Sequence, residues 1–243
     1  PTGRTRAVGA LAVLCLAQFL IALDYSIIYV ALPSVGTDLN LSPSLLQWVV
    51  SAYALLFAGL LLVGGRVCDR FGAKSVFLVS VIVFGLASAL GGCAQAGVIL
   101  HTARGTQGLA AAFLQPATLG LLGATFEAGP ARSRALAVWG AVGASGLAVG
   151  AILGGVLTAV SWRWTFLINV PLTLLAAVGG LLLLAAASKE YRSNRIPLPA
   201  ALLGTGALLA LVIGLTLVAD PDSSAARTGM ALLAAEVLGA AFL

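Results

Sequence analysis

The sequence predicts an all-α polytopic membrane protein: a six-helix transmembrane bundle followed by two further helices, the last of them truncated. Three observations lead there. Only 9% of the 243 residues are Asp, Glu, Lys or Arg, and 60% are hydrophobic, giving a mean hydropathy of +1.09. The apolar residues fall in long unbroken runs, each of a length that crosses about 30 Å of hydrocarbon as a helix. The basic residues sit at the ends of those runs with a strong bias to one side. Lipid offers no water to backbone N–H and C=O groups, which leaves helices or a closed barrel. Runs that do not alternate favour helices.

Taken in order, the apolar runs cover about 8–33, 46–65, 76–94, 97–125, 135–160, 164–187, 198–218 and 228–243. The first is too long for a signal peptide and lacks a small-residue cleavage site, so it reads as a retained helix. The first residue is Pro1 rather than Met, and the last run is still apolar at Leu243. Both point to a piece of a longer protein. Pro197 and Pro199 follow the basic stretch Lys189–Arg195 and mark a boundary. Residues 1–187 then form the six-helix bundle, 188–197 a cytoplasmic basic linker, and 198–243 the two additional helices, the second incomplete.

Direction follows from the connections. Arg4 and Arg6 precede the first run. Arg66, Arg70 and Lys74 join the second to the third, Arg132 and Arg134 the fourth to the fifth, and Lys189, Arg192 and Arg195 the sixth to the seventh. These are ten of the thirteen basic residues, all on one side. The other side holds only Arg163 and Arg227, beside Asp38, Asp220 and Asp222. The N-terminus is therefore expected in the cytoplasm. The net charge of +5 tracks this sidedness and is no nucleic-acid signal. Cys15, Cys68 and Cys93 have no metal or redox spacing, and the lone His101 has no second ligand nearby. No catalytic His, metal-binding or paired-carboxylate pattern is present, so an enzyme is not expected. Neither is a cofactor.

Asp24, Arg104 and Glu236 lie inside apolar runs. A charge at the bilayer centre costs roughly 2.5–3.5 kcal/mol on insertion scales, so such residues face a cavity or a partner. Asp24 and Arg104 fall at similar depth and can meet or line one cavity. Asp24 reads as a proton acceptor or as a static partner of Arg104. Burial favours the neutral form of a carboxyl and a nearby cation the ionised form. Arg104 reads as a structural cation or as a direct participant. Glu236, in the incomplete last run, carries little weight.

Residues 65–74, Gly-Arg-Val-Cys-Asp-Arg-Phe-Gly-Ala-Lys, form a charged loop between the second and third runs. Gly65 is expected to let its helix approach a neighbour, Asp69 to sit at a helix N-terminus, and Gly72 to permit a tight turn. Arg70 and Lys74 are expected to anchor the loop on the cytoplasmic face.

The pattern Gly-x-x-x-Asp-Arg-x-Gly-x-Lys resembles the signature loop of the major facilitator superfamily. Leu23-Asp24-Tyr25-Ser26 through Ala31-Leu32-Pro33 is similar to a segment in helix 1 of proton-driven drug exporters. Arg104-Gly105-Thr106-Gln107-Gly108 resembles the helix 4 motif, and Gly146, Gly150, Gly154 and Gly155 the antiporter motif of helix 5. Leu46 to Tyr53, and the stretch from Trp162 and Arg163 through Asn169 to Pro171, are similar to the fourteen-span drug–proton antiporter branch. The resemblance implies a six-helix N-terminal bundle of inverted three-helix repeats, with a second bundle elsewhere in the protein and a rocking motion around a midplane site. Ala73 stands where the loop motif usually has a second basic residue, implying a weaker latch. Ala151 stands where the antiporter motif usually has Pro, so the kink is lost.

The function this implies is proton-coupled efflux of drugs, antibiotics or other amphipathic small molecules by alternating access in a bacterial plasma membrane. The proton gradient would be the energy source. The partners are the lipid bilayer, protons, an amphipathic organic substrate and the C-terminal helical bundle of the same protein. In this reading Asp24 and Arg104 couple the proton, and residues 65–74 govern switching. A permissive pocket is lined by helices 1, 2, 4 and 5. A narrow-substrate exporter of a self-made antibiotic, siderophore or amino acid, and a membrane sensor that has lost transport, remain alternatives.

Overall fold

A computed structural model of the protein describes residues 3–185, 203–207, 210–211, 213–214, 218 and 224–242. Its helices are α1 (Gly3–Asp38), α2 (Pro43–Phe71), α3 (Ala73–Gly92), α4 (Gly97–Thr125), α5 (Pro130–Val160), α6 (Trp164–Leu167), α7 (Asn169–Leu183) and α8 (Ala225–Phe242). Six segments are long and apolar enough to cross a membrane, α6 and α7 together forming the sixth. The linker 188–197, and Asp220 and Asp222, lie outside the described residues. So does most of the seventh run, of which residues 203–207 are helical.

Two expectations need correction, and one crossing carries an irregularity. Residues 65–74 are not a loop: α2 runs through the charged residues to Phe71, and only Gly72 leaves the helix before α3 begins. Arg66, Asp69 and Arg70 are compatible with a helix once the chain has left the lipid, so only glycine ends it. Gly72 has φ +87°, a conformation glycine reaches without steric penalty. The sixth run is one crossing, Trp164–Leu183, with a single irregular residue at Ile168, whose dihedrals stay helical (φ −59°, ψ −28°). Pro171 has no N–H to give the carbonyl of Leu167, and its ring crowds that carbonyl. The third helix begins at Ala73, directly after Gly72.

Local signals set the remaining ends. Ser42 caps α2 by accepting from the Leu45 N–H at 3.4 Å, with Pro43 at the first helical position where its missing N–H costs nothing. Pro130 opens α5 in the same way.

The packing order shows an internal symmetry. α1 lies chiefly against α5, and α2 against α4; α3 packs on α4, and α7 on α1; α3 and α7 touch each other. Exchanging α1 with α4, α2 with α5 and α3 with the α6–α7 helix maps this set of neighbours onto itself, as inverted three-helix repeats require. Glycines allow the closest pairs. A Cβ on Gly108 would stand 2.3 Å from the Tyr53 carbonyl oxygen, and one on Gly64 would stand 2.2 Å from that of Ala112. Lipid chains are as apolar as leucine, so such close backbone packing, rather than burial from water, holds helices together in a bilayer.

The surface and interior are distributed accordingly. Val79, Leu86, Ile152, Val156, Leu174 and Leu182 face outward. Inside, two apolar clusters are stacked along the bundle. One holds Leu14, Phe77, Phe84, Leu114 and Leu121. The other holds Ile28, Val49, Leu100, Trp162 and Phe166. Between them lies a buried polar layer.

Candidate functional site

Asp24 of α1 is at the centre of that layer. Its Oδ2 accepts from Arg104 Nη1 at 2.6 Å. Its Oδ1 accepts from Gln107 Nε2 at 2.8 Å and from Asn169 Nδ2 at 2.7 Å. Arg104 and Gln107 stand three residues apart on α4, hence on one face, and Arg104 Nη1 also donates to Gln107 Oε1 at 3.0 Å. Arg104 Nε donates to the Val49 carbonyl of α2 at 3.0 Å. Gln107 Nε2 reaches Ser88 Oγ of α3 at 2.9 Å. Asn169, directly after the irregular Ile168, is buried and aimed inward. Three helices thus meet at the carboxylate, and α2 and α3 join the network through Arg104 and Gln107.

The layer is sealed: Asp24 is 1% exposed, and Arg104, Gln107 and Asn169 are 0%. Removing both charges from water is costly, and only a network that satisfies their remaining valences offsets it. Most are satisfied. Arg104 Nη2 and Asn169 Oδ1 have no partner. The guanidinium also lies over the Tyr53 ring, 4.4 Å from its centroid. Gly108 makes this contact sterically possible, because it lets the backbone of Tyr53 approach α4.

Beside the ion pair lies a cavity of about 440 Å³, lined by α1, α2, α4 and α5. Tyr25, Tyr53 and Phe57 form an aromatic wall, with centroids 6.1 Å apart for Tyr25–Tyr53 and 5.9 Å for Tyr53–Phe57. Gln18, Gln115 and Gly143 line it as well, and no charged side chain does. Asp24 and Arg104 meet each other rather than the cavity.

The glycine face of α5 forms the seam with α1. A Cβ on Gly146 would come within 3.0 Å of the Phe19 carbonyl oxygen, on Gly150 within 2.8 Å of that of Leu23, and on Gly154 within 3.0 Å of that of Ile27. This seam carries α1, and Asp24 with it. Ser26 Oγ adds a bond to the Leu147 carbonyl at 2.7 Å.

Residues 14–241 match the sequence profile of the Major Facilitator Superfamily. The chain belongs to that superfamily. It is 46% identical over 203 residues to the puromycin resistance protein of Streptomyces alboniger, covering 83% of this chain and 40% of that protein. It is 44% identical over 221 residues to the cephamycin export protein of Amycolatopsis lactamdurans, covering 88% and 46% respectively. The chain therefore spans less than half the length of either relative. Among solved structures, the human organic anion transporter MFSD10 matches with a TM-score of 0.64 at 16% identity, over 95% of this chain and 59% of that one. A bacterial homologue of the lysosomal transporter Spinster matches with a TM-score of 0.57 at 17% identity, over 93% and 57%. These two show the fold. This member of the superfamily is a multi-pass membrane protein.

The other sequence-predicted residues of this superfamily chain lie at the bundle's ends and seams. Gly65 does not bring its helix close to a neighbour: a Cβ there would meet nothing within 4 Å, and Gly64 makes the close approach instead. One position along a helix turns a side chain by about 100°, so the neighbouring glycine faces α4. Asp69 is not at a helix N-terminus but in the last turn of α2, paired with Arg66 at 3.5 Å and largely exposed. Arg70 is exposed beside the Phe71 ring. Lys74 Nζ caps the far end of α7, donating to the carbonyls of Leu181 at 3.1 Å and Leu184 at 2.6 Å, where the helix dipole favours a cation. Gly155 has no neighbour within 4 Å of a built Cβ. Glu236 is exposed on α8.

At the opposite end, Arg163 Nη1 and Trp162 Nε1 both donate to Asp38 Oδ2, at 2.8 and 3.0 Å. Arg163 Nη2 reaches the Ala94 carbonyl at 3.1 Å, so this clasp ties the ends of α1 and α3 to the link before α6. Sequence reasoning assigned no role to Tyr53, Ser88, Gln18, Gln115, Gly64 or Gly143. All are uncharged, and nothing in their spacing sets them apart from ordinary packing residues.

Proposed function

We propose that this chain is the N-terminal helical part of a proton-coupled antiporter that exports antibiotics or related amphipathic small molecules by alternating access. The observation that carries this reading is the buried Asp24–Arg104 pair, set between two apolar clusters and beside a neutral, aromatic-walled cavity. The proton gradient supplies the energy, and no bound cofactor takes part. The N-terminus is cytoplasmic, because the basic residues gather at the end of the bundle that holds Arg6, Lys74 and Arg132.

The hydrogen bonds are compatible with a switch as well as with a static ion pair. If Asp24 takes a proton, Arg104 loses one partner and keeps three: the Val49 carbonyl, Gln107 and the Tyr53 face. Neutral Asp24 still accepts from Asn169 and Gln107. Protonating Asp24 leaves the Arg104 charge without a counter-ion, a cost that its remaining contacts to the Val49 carbonyl, Gln107 and the Tyr53 face reduce but do not remove. Rocking that admits water from one compartment and then the other loads and unloads the carboxyl. The cavity holds the substrate through aromatic surface and neutral amides, as an amphipathic molecule requires.

A second reading, a narrow range of substrates, is favoured by the relatives: each is named for one antibiotic, puromycin, cephamycin or, at 36% identity, lincomycin. Export assays with the full-length protein against a panel of antibiotics and lipophilic dyes separate the two readings, one compound against many. No export of any compound would instead indicate a sensor. Export by Asp24→Asn at the parent rate, with the same dependence on the proton gradient, would sink the coupling assignment.

A further inference from the structure

We propose that Gly143 and Gln18 together set the width of the cavity, and so decide how bulky an amphipathic molecule the transporter accepts. This rests on the export reading above and names the residues that select its substrates. Gly143 belongs to the glycine face of α5, but its surroundings differ from those of the other glycines there. Gly146, Gly150 and Gly154 stand against backbone carbonyls of α1. The three atoms nearest a Cβ on Gly143 all belong to the Gln18 side chain: Nε2 at 2.7 Å, Cγ at 3.1 Å and Cδ at 3.3 Å. The missing side chain leaves a seat on α5, and the Gln18 amide occupies it.

Both residues line the cavity, so the seat and the cavity share a wall. Gly143 is buried. Gln18 Oε1 is also buried, and it has no hydrogen-bond partner among the described residues, so its carbonyl is not tied in place. A methyl at position 143 would displace the Gln18 side chain from Cγ outward. It cannot move along the seam, where Phe19 and Ala22 of α1 already touch Gly146. The open direction is the cavity, toward the rings of Tyr25 and Phe57. Because the clash is with a flexible side chain and not with backbone, α1 stays on α5. The effect falls on the cavity rather than on the fold.

The size of the cavity makes this matter. Its volume of about 440 Å³ is near the lower end of the ~300–1,000 Å³ spanned by pockets for drug-sized ligands. An amide swung into that space removes room that a bulky ligand needs, and close-packed contacts tolerate little intrusion. The molecules that require a seated Gln18 are the larger amphipathic ones. Their aromatic or apolar parts meet Tyr25 and Phe57, and a neutral polar group meets the amides of Gln18 and Gln115. Gly143 is thus a positioning residue, acting through Gln18.

The test measures binding of radiolabelled puromycin, lincomycin and a cephamycin to the purified full-length transporter, with a melting curve for every variant. The parent protein should bind at least one of them. Gly143→Ala should keep the parental melting temperature and bind that compound about tenfold more weakly, within the range that overpacking costs. In a Gln18→Ala background the same change should leave binding as it is in Gln18→Ala alone, because no amide remains to be displaced. Should Gln18→Ala not fold or not bind, Gln18→Ser serves in its place. Parental affinity in Gly143→Ala overturns the proposal. So does an equal loss in both backgrounds, which would put the methyl itself in the ligand's way. A fall in melting temperature as large as that of Gly150→Ala would make Gly143 a residue of the α1–α5 seam, and overturns the proposal as well. No binding of any of the three compounds by the parent overturns the export reading itself, and this selection with it.

Discussion

Arg104 Nη1 lies 2.6 Å from Asp24 Oδ2 across 80 residues of sequence, and both side chains are sealed from solvent. Removing one partner strands the other in a medium of low polarity, which costs roughly 3–5 kcal/mol for a buried pair. Asp24→Ala and Arg104→Ala should each lower the thermal stability of the detergent-solubilised full-length protein sharply. Asp24→Asn with Arg104→Gln, which removes both charges and keeps hydrogen-bonding groups, should be less destabilised than the sum of the corresponding single changes. Additive losses in a double-mutant cycle would mean that the two charges do not interact.

The glycine face of α5 gives a contrast within one motif. A Cβ on Gly150 would stand 2.8 Å from the Leu23 carbonyl oxygen and 2.9 Å from Ser26 Cβ, whereas one on Gly155 meets nothing within 4 Å. Gly150→Ala should therefore push α1 off its seat and destabilise by about 1–3 kcal/mol, the usual range for overpacking. Gly155→Ala should keep parental stability or gain slightly, since alanine is the better helix former. Melting curves and antibiotic export, measured together, check both. Equal damage from the two changes would show that the α1–α5 contact is not what these glycines serve.

A parallel contrast separates Gly64 from Gly65. The superfamily motif begins at Gly65, but the close approach to α4 is made at Gly64, whose added Cβ would stand 2.2 Å from the Ala112 carbonyl oxygen. Gly64→Ala should reduce membrane-inserted, folded protein severalfold, and Gly65→Ala should not. If Gly65→Ala folds normally yet fails to export, the motif glycine acts at a contact formed in another conformation.

How far the sequence could be read follows from what each residue costs. Asp24 and Arg104 were legible because a charge in an apolar run needs a reason. Their partners were less so. Gln107, Asn169, Val49 and Tyr53 stood out only as members of stretches with motif resemblance, and Ser88 not at all, since a neutral group in a membrane helix carries no signal of its own. The helical bundle was legible from run length and charge asymmetry. The helix ends were not, because hydropathy marks where a chain leaves lipid and not where its helix stops. α2 continues six residues past the apolar run that ends at Gly65, until Gly72 turns it. The irregularity at Ile168 needed Pro171 to be weighed against the apolar run around it.

Sidedness can be tested with the native cysteines of the full-length protein. Cys93 follows α3 and is exposed, while Cys15 and Cys68 are buried. α3 starts at Ala73 beside the basic cluster and ends at Gly92, so a cytoplasmic N-terminus puts Cys93 on the outer face. In a full-length variant with every cysteine outside this chain replaced by serine, a membrane-impermeant maleimide added to intact cells should label the protein at Cys93, and Cys93→Ser should abolish the labelling. Opening the cells should add little label, because Cys15 and Cys68 are shielded by packing and not by the membrane alone. Labelling of Cys93 only after the cells are opened would reverse the orientation. With it would go the assignment of the basic end to the cytoplasm and the direction in which Asp24 is loaded.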